Sequence, residues 1–273
     1  MGVLYTILIL LAIGVVMIYS ASSFYSMFHY NDSMFYLKKQ GIMAVIGLVA
    51  MFFMMNFDYH RLKKITPKLL IITIPLLIAV FFFPAVNGAK RWIQLGGLSF
   101  QPSELTKYVV VLFLALSIDI KGDGIKDFWT GIVPYLALSG FFAALVLAEK
   151  NLSIAAIIMI VTFILLFISG GKIKHLFGIV LPTLLTLAIF FIFSSDYRRA
   201  RMLNFIDPWK DAAGDGYQLI QSFYALGSGG ITGLGLGQSR QKTLYMPEPH
   251  NDFIFSIIGE ELGLIGCLLI ISL

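Results

Sequence analysis

The sequence predicts an all-α polytopic membrane protein. Three observations predict it. Apolar residues make up 58% of the 273 and charged residues only 13%, whereas a soluble domain carries roughly 25% charge. Mean hydropathy is +0.87. Six runs, 1–31, 40–57, 69–89, 128–148, 151–171 and 175–195, hold no Asp, Glu, Lys or Arg, and a helix crosses a bilayer with about 20 residues. An ordinary cytosolic enzyme and a disordered chain are both excluded. The runs are continuously apolar rather than alternating over about ten residues, so spanning sheets are excluded as well. The single cysteine, Cys267, leaves no intrachain disulfide, cysteine-ligated zinc site or iron–sulfur cluster.

The elements follow in chain order. The first run lacks a basic leader and a small-residue cleavage site, so it reads as a retained helix rather than a signal peptide. Runs 40–57 and 69–89 supply the second and third spans. Residues 108–118 are too short alone. Starting at Pro102 makes a full fourth helix, with proline in the first turn and Glu104 at the positive end of the helix dipole. Runs 128–148, 151–171 and 175–195 give helices five to seven. The last apolar run, 253–273, is interrupted only by Glu260 and Glu261. The total is eight spans. With the N-terminus inside, the short cytoplasmic loops carry eight basic residues against five in the short outer segments, a positive-inside bias. Residues 196–251 then form an extracytoplasmic loop between helices seven and eight. The net charge of +5 serves topology and anionic lipid, and no nucleic-acid partner is expected.

The loop carries the chemistry. Residues 216–239 are free of charge but hold seven glycines. Tyr217 to Leu226 can form a short helix, while GSGGITGLGLG cannot form a stable one. Irregular backbone at membrane depth must be sheltered by protein or line a wet cavity. The interleaved Ile231, Leu234 and Leu236 predict packing rather than a linker. Next comes Lys242-Thr-Leu-Tyr-Met-Pro-Glu-Pro-His-Asn-Asp252, where two prolines stiffen the approach to the last helix. Asn251 or Asp252 can serve as its N-cap, a role that leaves Glu248 and His250 unexplained. Glu104 and Lys107 share one face of the fourth helix, either as a self-neutralising pair or as groups facing a wet groove. Glu260 and Glu261 should both lie inside the protein, one holding helices together and the other meeting a cavity.

Four segments carry a family resemblance: AKRWIQLGGLSFQPSELTK at 89–107, NFIDPWKDAAGDGYQLIQS at 204–222, GSGGITGLGLGQSRQK at 227–242 and LYMPEPHNDFIFSIIGEELG at 244–263. With these the chain resembles the SEDS family (shape, elongation, division and sporulation proteins, RodA and FtsW among them). The resemblance covers essentially all of residues 1–273 as one transmembrane domain. It implies a ten-helix bundle, of which this chain carries eight helices. A C-terminally incomplete chain is therefore expected, and one lacking a wall of the lipid groove would be inactive. Residues 149–153 read Glu-Lys-Asn-Leu-Ser where family members often have an acidic or amide residue and then Pro-Asp-Leu-Gly. The short N-terminal end leans toward an elongation or sporulation member.

The resemblance implies a peptidoglycan glycosyltransferase of the bacterial plasma membrane that polymerises lipid II into β-1,4 glycan. One inverting displacement releases undecaprenyl pyrophosphate. Asp252 is the implied base, with Glu104 and Lys107 as further catalytic groups. Both helix starts are expected to face one outer cavity. Arg198, Arg199, Arg201, Lys242, His250 and Glu248 are candidates for substrate binding. No tightly bound cofactor is expected; a divalent cation (Mg or Mn) would travel with the pyrophosphate. The implied partner is a class B penicillin-binding protein, a single-span transpeptidase. The alternatives are a lipid II flippase and a scaffold that recruits the transpeptidase.

Overall fold

A computed structural model describes every residue except Met1, 86–87, 96–97, Asp215 and Leu244, and the side chains of Leu95, Leu98, Tyr197 and Arg201. Among the described residues the regular secondary structure is helical apart from one short hairpin. Its order is α1 (Gly2–Tyr30), α2 (Phe35–Met55), α3 (His60–Phe82), β1 (Ile93–Leu95), β2 (Leu98–Phe100), α4 (Pro102–Lys121), α5 (Phe128–Ala148), α6 (Leu152–Ile168), α7 (Ile173–Phe193), α8 (Asp196–Ile206), α9 (Tyr217–Gly229) and α10 (Ile254–Ser272). Helices stand at all eight predicted positions. Among the described residues six of them, α1, α2, α3, α5, α7 and α10, are long and apolar enough to cross a membrane. Helix α6 is apolar but has 17 residues, and α4 carries Glu104, Lys107, Asp119 and Lys121.

The chain forms two compact units. The first comprises residues 1–57 and 190–273, the second residues 58–189. In the first, α9 packs on α10, and α1 packs on α2 and α10. Met17, Ala21, Ala225, Met246, Ile257 and Ile258 form its core. Helix α2 buries none of its residues, although apolar types line its whole circumference. That pattern belongs to a helix solvated by lipid.

In the second unit α3 and α4 pair, as do α5 and α6, around Leu77, Leu114, Phe142, Val146, Ile158 and Leu166. Polar contacts join the layers: the Thr162 hydroxyl donates to Ser139 Oγ at 2.8 Å, and Lys63 Nζ meets Asp119 at 3.0 Å. Helix α4 begins at Pro102, as predicted, and ends at Gly122 with φ 53°. Asp127 and Asn151 open α5 and α6 by accepting the amides of Thr130 and Ile154.

Three features depart from the sequence reading. Residues 93–95 and 98–100 pair as antiparallel strands with Ile93 opposite Phe100, outside the predicted spans. Residues 196–206, read as loop, form α8. The last apolar run is broken at Gly263, whose φ of 67° and ψ of −168° are not helical.

Candidate functional site

The Gly-rich segment and the break in α10 close on each other. The amides of Leu234 and Gly235 donate to the carbonyls of Glu260 and Glu261 at 2.9 and 3.0 Å. In return the amides of Leu264 and Ile265 donate to the carbonyls of Gly230 and Ile231 at 3.0 and 3.2 Å. Each segment thus satisfies backbone groups that the other's irregularity frees, as a buried chain must. Two glycines make the approach close enough. A Cβ on Gly233 would collide with the Glu261 carbonyl, and one on Gly263 with the backbone of Gly233 and Ile231. The segment is packed, as predicted, but through its backbone. Ile231, Leu234 and Leu236 are exposed.

Both glutamates of α10 are buried, at 1% and 0% exposure. Glu260 accepts the amides of Arg240 at 2.9 Å and Gln241 at 3.4 Å, and the hydroxyl of Ser239. Glu261 receives the Ser20 hydroxyl of α1, the Ser239 amide at 3.3 Å and the Lys242 ammonium at 2.7 Å. Both therefore hold the returning loop, a division of labour different from one helix clamp and one cavity group. Lys242 is itself buried and also donates to Ser20 at 3.0 Å. Its charge is matched by Glu261, as membrane-depth charges require.

Asp252 lies ten residues after Lys242 in the chain. Met246 is 1% exposed within the core of the first unit. Glu248 adopts φ 45° and accepts the Asn251 side chain at 3.0 Å. His250 is buried with its ring centre 4.1 Å from Tyr36 and 5.7 Å from Tyr25, and neither ring nitrogen has a partner among the described residues. Burial lowers its pKa, with the Glu248 charge acting in the opposite sense. Asp252 is exposed and precedes Phe253, the N-cap position of α10, which carries no side-chain cap. The capping role is accordingly not taken by Asp252. The next residue, Phe253, lines a cavity of about 500 Å³ together with Asn204, Phe205, Tyr217, Gln218 and Pro247.

The second unit holds Glu104 and Lys107 in the first turns of α4, joined by a 2.9 Å ion pair. Glu104 is about half exposed, and the ammonium also lies 5.2 Å from the centre of the Tyr108 ring. Of the arginines, Arg198 donates to the Phe191 carbonyl and the Ser194 hydroxyl, both at 2.9 Å, and its guanidinium lies 4.0 Å from the Phe191 ring centre. Arg199 is exposed and pairs with Asp196 at 3.0 Å. The Arg201 side chain lies outside the described residues.

One cluster escaped the sequence reading. Glu149, just after α5, is 1% exposed, and neither carboxylate oxygen has a hydrogen-bond partner among the described residues. Burial raises its pKa to about 7, against the opposing pull of Ser103 and Arg91. Arg91 donates to the carbonyls of Glu149 and Lys150, and the Asn151 amide reaches Ser103 at 3.5 Å. These contacts tie the segment before β1 and the start of α4 to the turn between α5 and α6. The departure at 149–153 was visible in sequence; the burial of its glutamate was not. Among the described residues no three His, Cys, Asp or Glu groups converge as a metal site.

Comparison with known proteins places this arrangement. The FtsW/RodA/SpoVE family, described as cell cycle protein, matches residues 1–273. A probable peptidoglycan glycosyltransferase FtsW from Geobacter sp. (strain M18) is 41% identical over 277 residues, covering 100% of this chain and 75% of the relative. Stage V sporulation protein E of Bacillus subtilis is 40% identical over 272 residues, covering 97% and 73%. Among solved structures, a chain from a peptidoglycan synthase complex that coordinates polymerization and crosslinking superposes with a TM-score of 0.76. It shares 27% identity, with 99% of this chain and 73% of that chain covered. The rod-shape-determining protein RodA of Thermus thermophilus gives a TM-score of 0.66 at 23% identity, covering 99% and 70%, a likeness of fold.

Proposed function

The chain belongs to the FtsW/RodA/SpoVE family of peptidoglycan glycosyltransferases, and from that premise we propose that it polymerises lipid II with Asp252 as general base. The acceptor's 4-hydroxyl attacks C1 of the donor sugar. Its proton passes to the Asp252 carboxylate, the bond from C1 to the pyrophosphate oxygen breaks, and undecaprenyl pyrophosphate leaves. An α-linked donor becomes a β-1,4 strand in one inversion. Such a step needs a base at the hydroxyl and compensation of charge on the leaving group.

The observation that carries this reading is the setting of Asp252. Its carboxylate is exposed and has no partner among the described residues, while the neighbouring Phe253 lines a cavity of neutral amides and aromatic rings. Amides and a tyrosine hydroxyl suit sugar hydroxyls, and rings suit the apolar faces of a pyranose. In the second unit Glu104 and Lys107 supply a carboxylate oriented by an ammonium, and Lys107 a positive charge for a phosphate. Among the basic candidates Arg199 has an exposed, easily released partner, whereas Arg198 and Lys242 already hold carbonyl and carboxylate groups. We assign a pyrophosphate contact first to Arg199. A divalent cation would ride on the pyrophosphate oxygens.

The N-terminus is proposed to be cytoplasmic, with eight spans and residues 196–251 outside. A class B penicillin-binding protein is the proposed partner, because new strands and their crosslinks must be made side by side. A second reading has a specific observation in its favour: the broken α10 with two buried glutamates resembles the interrupted helices of carriers. Labelled lipid II given to the full-length protein in detergent distinguishes the two. Glycan chains are expected. Binding without polymer would overturn the enzyme reading and leave a carrier or a scaffold.

A further inference from the structure

We propose that Lys242, with Glu261 and Ser20, is the positioning element that sets where Asp252 stands. The proposal rests on the glycosyltransferase reading with Asp252 as base. It deepens that reading by giving Lys242 a role other than contact with substrate.

The exposed Asp252 ends a ten-residue return from Lys242, whose described residues form turns and bends rather than helix or strand. Three side chains, spaced four residues apart, hold it against other elements of the first unit, and of the three only Met246 enters the apolar core. Lys242 bonds Glu261 of α10 and Ser20 of α1. Met246 enters the cluster of Met17, Ala21, Ile257 and Ile258, and its amide donates to the Gln241 carbonyl at 3.0 Å. His250 lies against Tyr25 of α1 and Tyr36 of α2. Helix α1 meets the return at both ends, through Ser20 and Tyr25.

Met246 and His250 make apolar and ring contacts, which tolerate sliding. Of the three side chains only Lys242 makes directional bonds among the described residues. The ammonium, the carboxylate and the hydroxyl each bond the other two, and the Ser239 amide adds a fourth bond to Glu261. A one-residue slip of the return would leave a charge buried and unpaired, which is strongly unfavourable. A buried ion pair adds little net stability over a well-packed apolar replacement. A neutral replacement that still accepts the Ser239 amide would keep the fold but lose the register set by the ion pair. Displacing a reacting group by about 1 Å can cost about 100-fold in rate.

The test uses full-length protein, labelled lipid II as probe, and kcat, KM and Tm as readouts. Wild type and Asp252→Asn define the two ends of the scale. The paired variant Lys242→Met/Glu261→Gln removes both charges at once and leaves an amide oxygen to accept the buried Ser239 amide. It should keep Tm within a few degrees and KM within about twofold, while kcat falls at least about tenfold. Ser20→Ala, which leaves the ion pair in place and tests the contact with α1, should lower kcat severalfold at unchanged KM. Wild-type kcat in both variants would overturn the proposal, as would a rise in KM at constant kcat, the mark of a substrate contact. An inactive wild type would remove the underlying reading instead.

Discussion

The amide of Leu264 donates to the carbonyl of Gly230 at 3.0 Å, across 34 residues of sequence. The bond belongs to a set of four in which a broken membrane helix and a glycine-rich loop complete each other's hydrogen bonding. The loop is thereby fixed to α10 through its backbone, before the chain continues to Asp252.

That closure sets a test on two glycines. Gly233 has φ 80° and no room for a side chain, so Gly233→Ala adds a collision with the Glu261 carbonyl to backbone strain of about 1–3 kcal/mol. Tm should fall by several degrees. Gly227 lies inside α9, with open space where a Cβ would stand, and Gly227→Ala should leave Tm equal or slightly raised. Equal behaviour of the two variants in a thermal melt would contradict the close packing.

The order of helices, the start of α4 at Pro102 and the non-helical backbone from Gly230 on were legible in the sequence, because charge spacing and glycine density are local signals, although α9 runs three residues past Leu226 into the glycine segment. The break at Gly263 was not. A lone glycine in an apolar run is an ordinary sight, and the loop that occupies this one lies some 30 residues away. Lys242 read as a free cation for the same reason: nothing local says that Glu261 and Ser20 meet it. The hairpin had a local signal, Gly96-Gly97 between Ile-Gln-Leu and Leu-Ser-Phe, obscured by its position between apolar spans. Asp252 was located by motif, and its freedom from a capping role came from the structure.

Glu149 predicts a pH dependence of stability. Its folded pKa is about 7 against an ordinary 4.5. Between these values the folded chain holds a proton that the unfolded chain has released. The stabilisation is complete below about 4.5 and is lost as pH rises through about 7. Tm should fall over that interval in wild type, and Glu149→Gln should flatten the decline. An unchanged slope in the variant would assign the dependence to another group.

The proposed topology can be read in intact cells. A cysteine at the exposed Gln218 should react with a membrane-impermeant maleimide without lysis, while buried Cys267 stays silent. Labelling only after lysis would reverse the orientation.

Initial-rate polymerisation of labelled lipid II by full-length Asp252→Asn protein bears most directly on the account. Asparagine keeps the size of the side chain and its ability to cap a helix but cannot take the proton, and a general base contributes about 10²–10⁴-fold. The account predicts an unchanged Tm and membrane insertion with polymerisation reduced by at least about 100-fold. Polymerisation near the wild-type rate would contradict it.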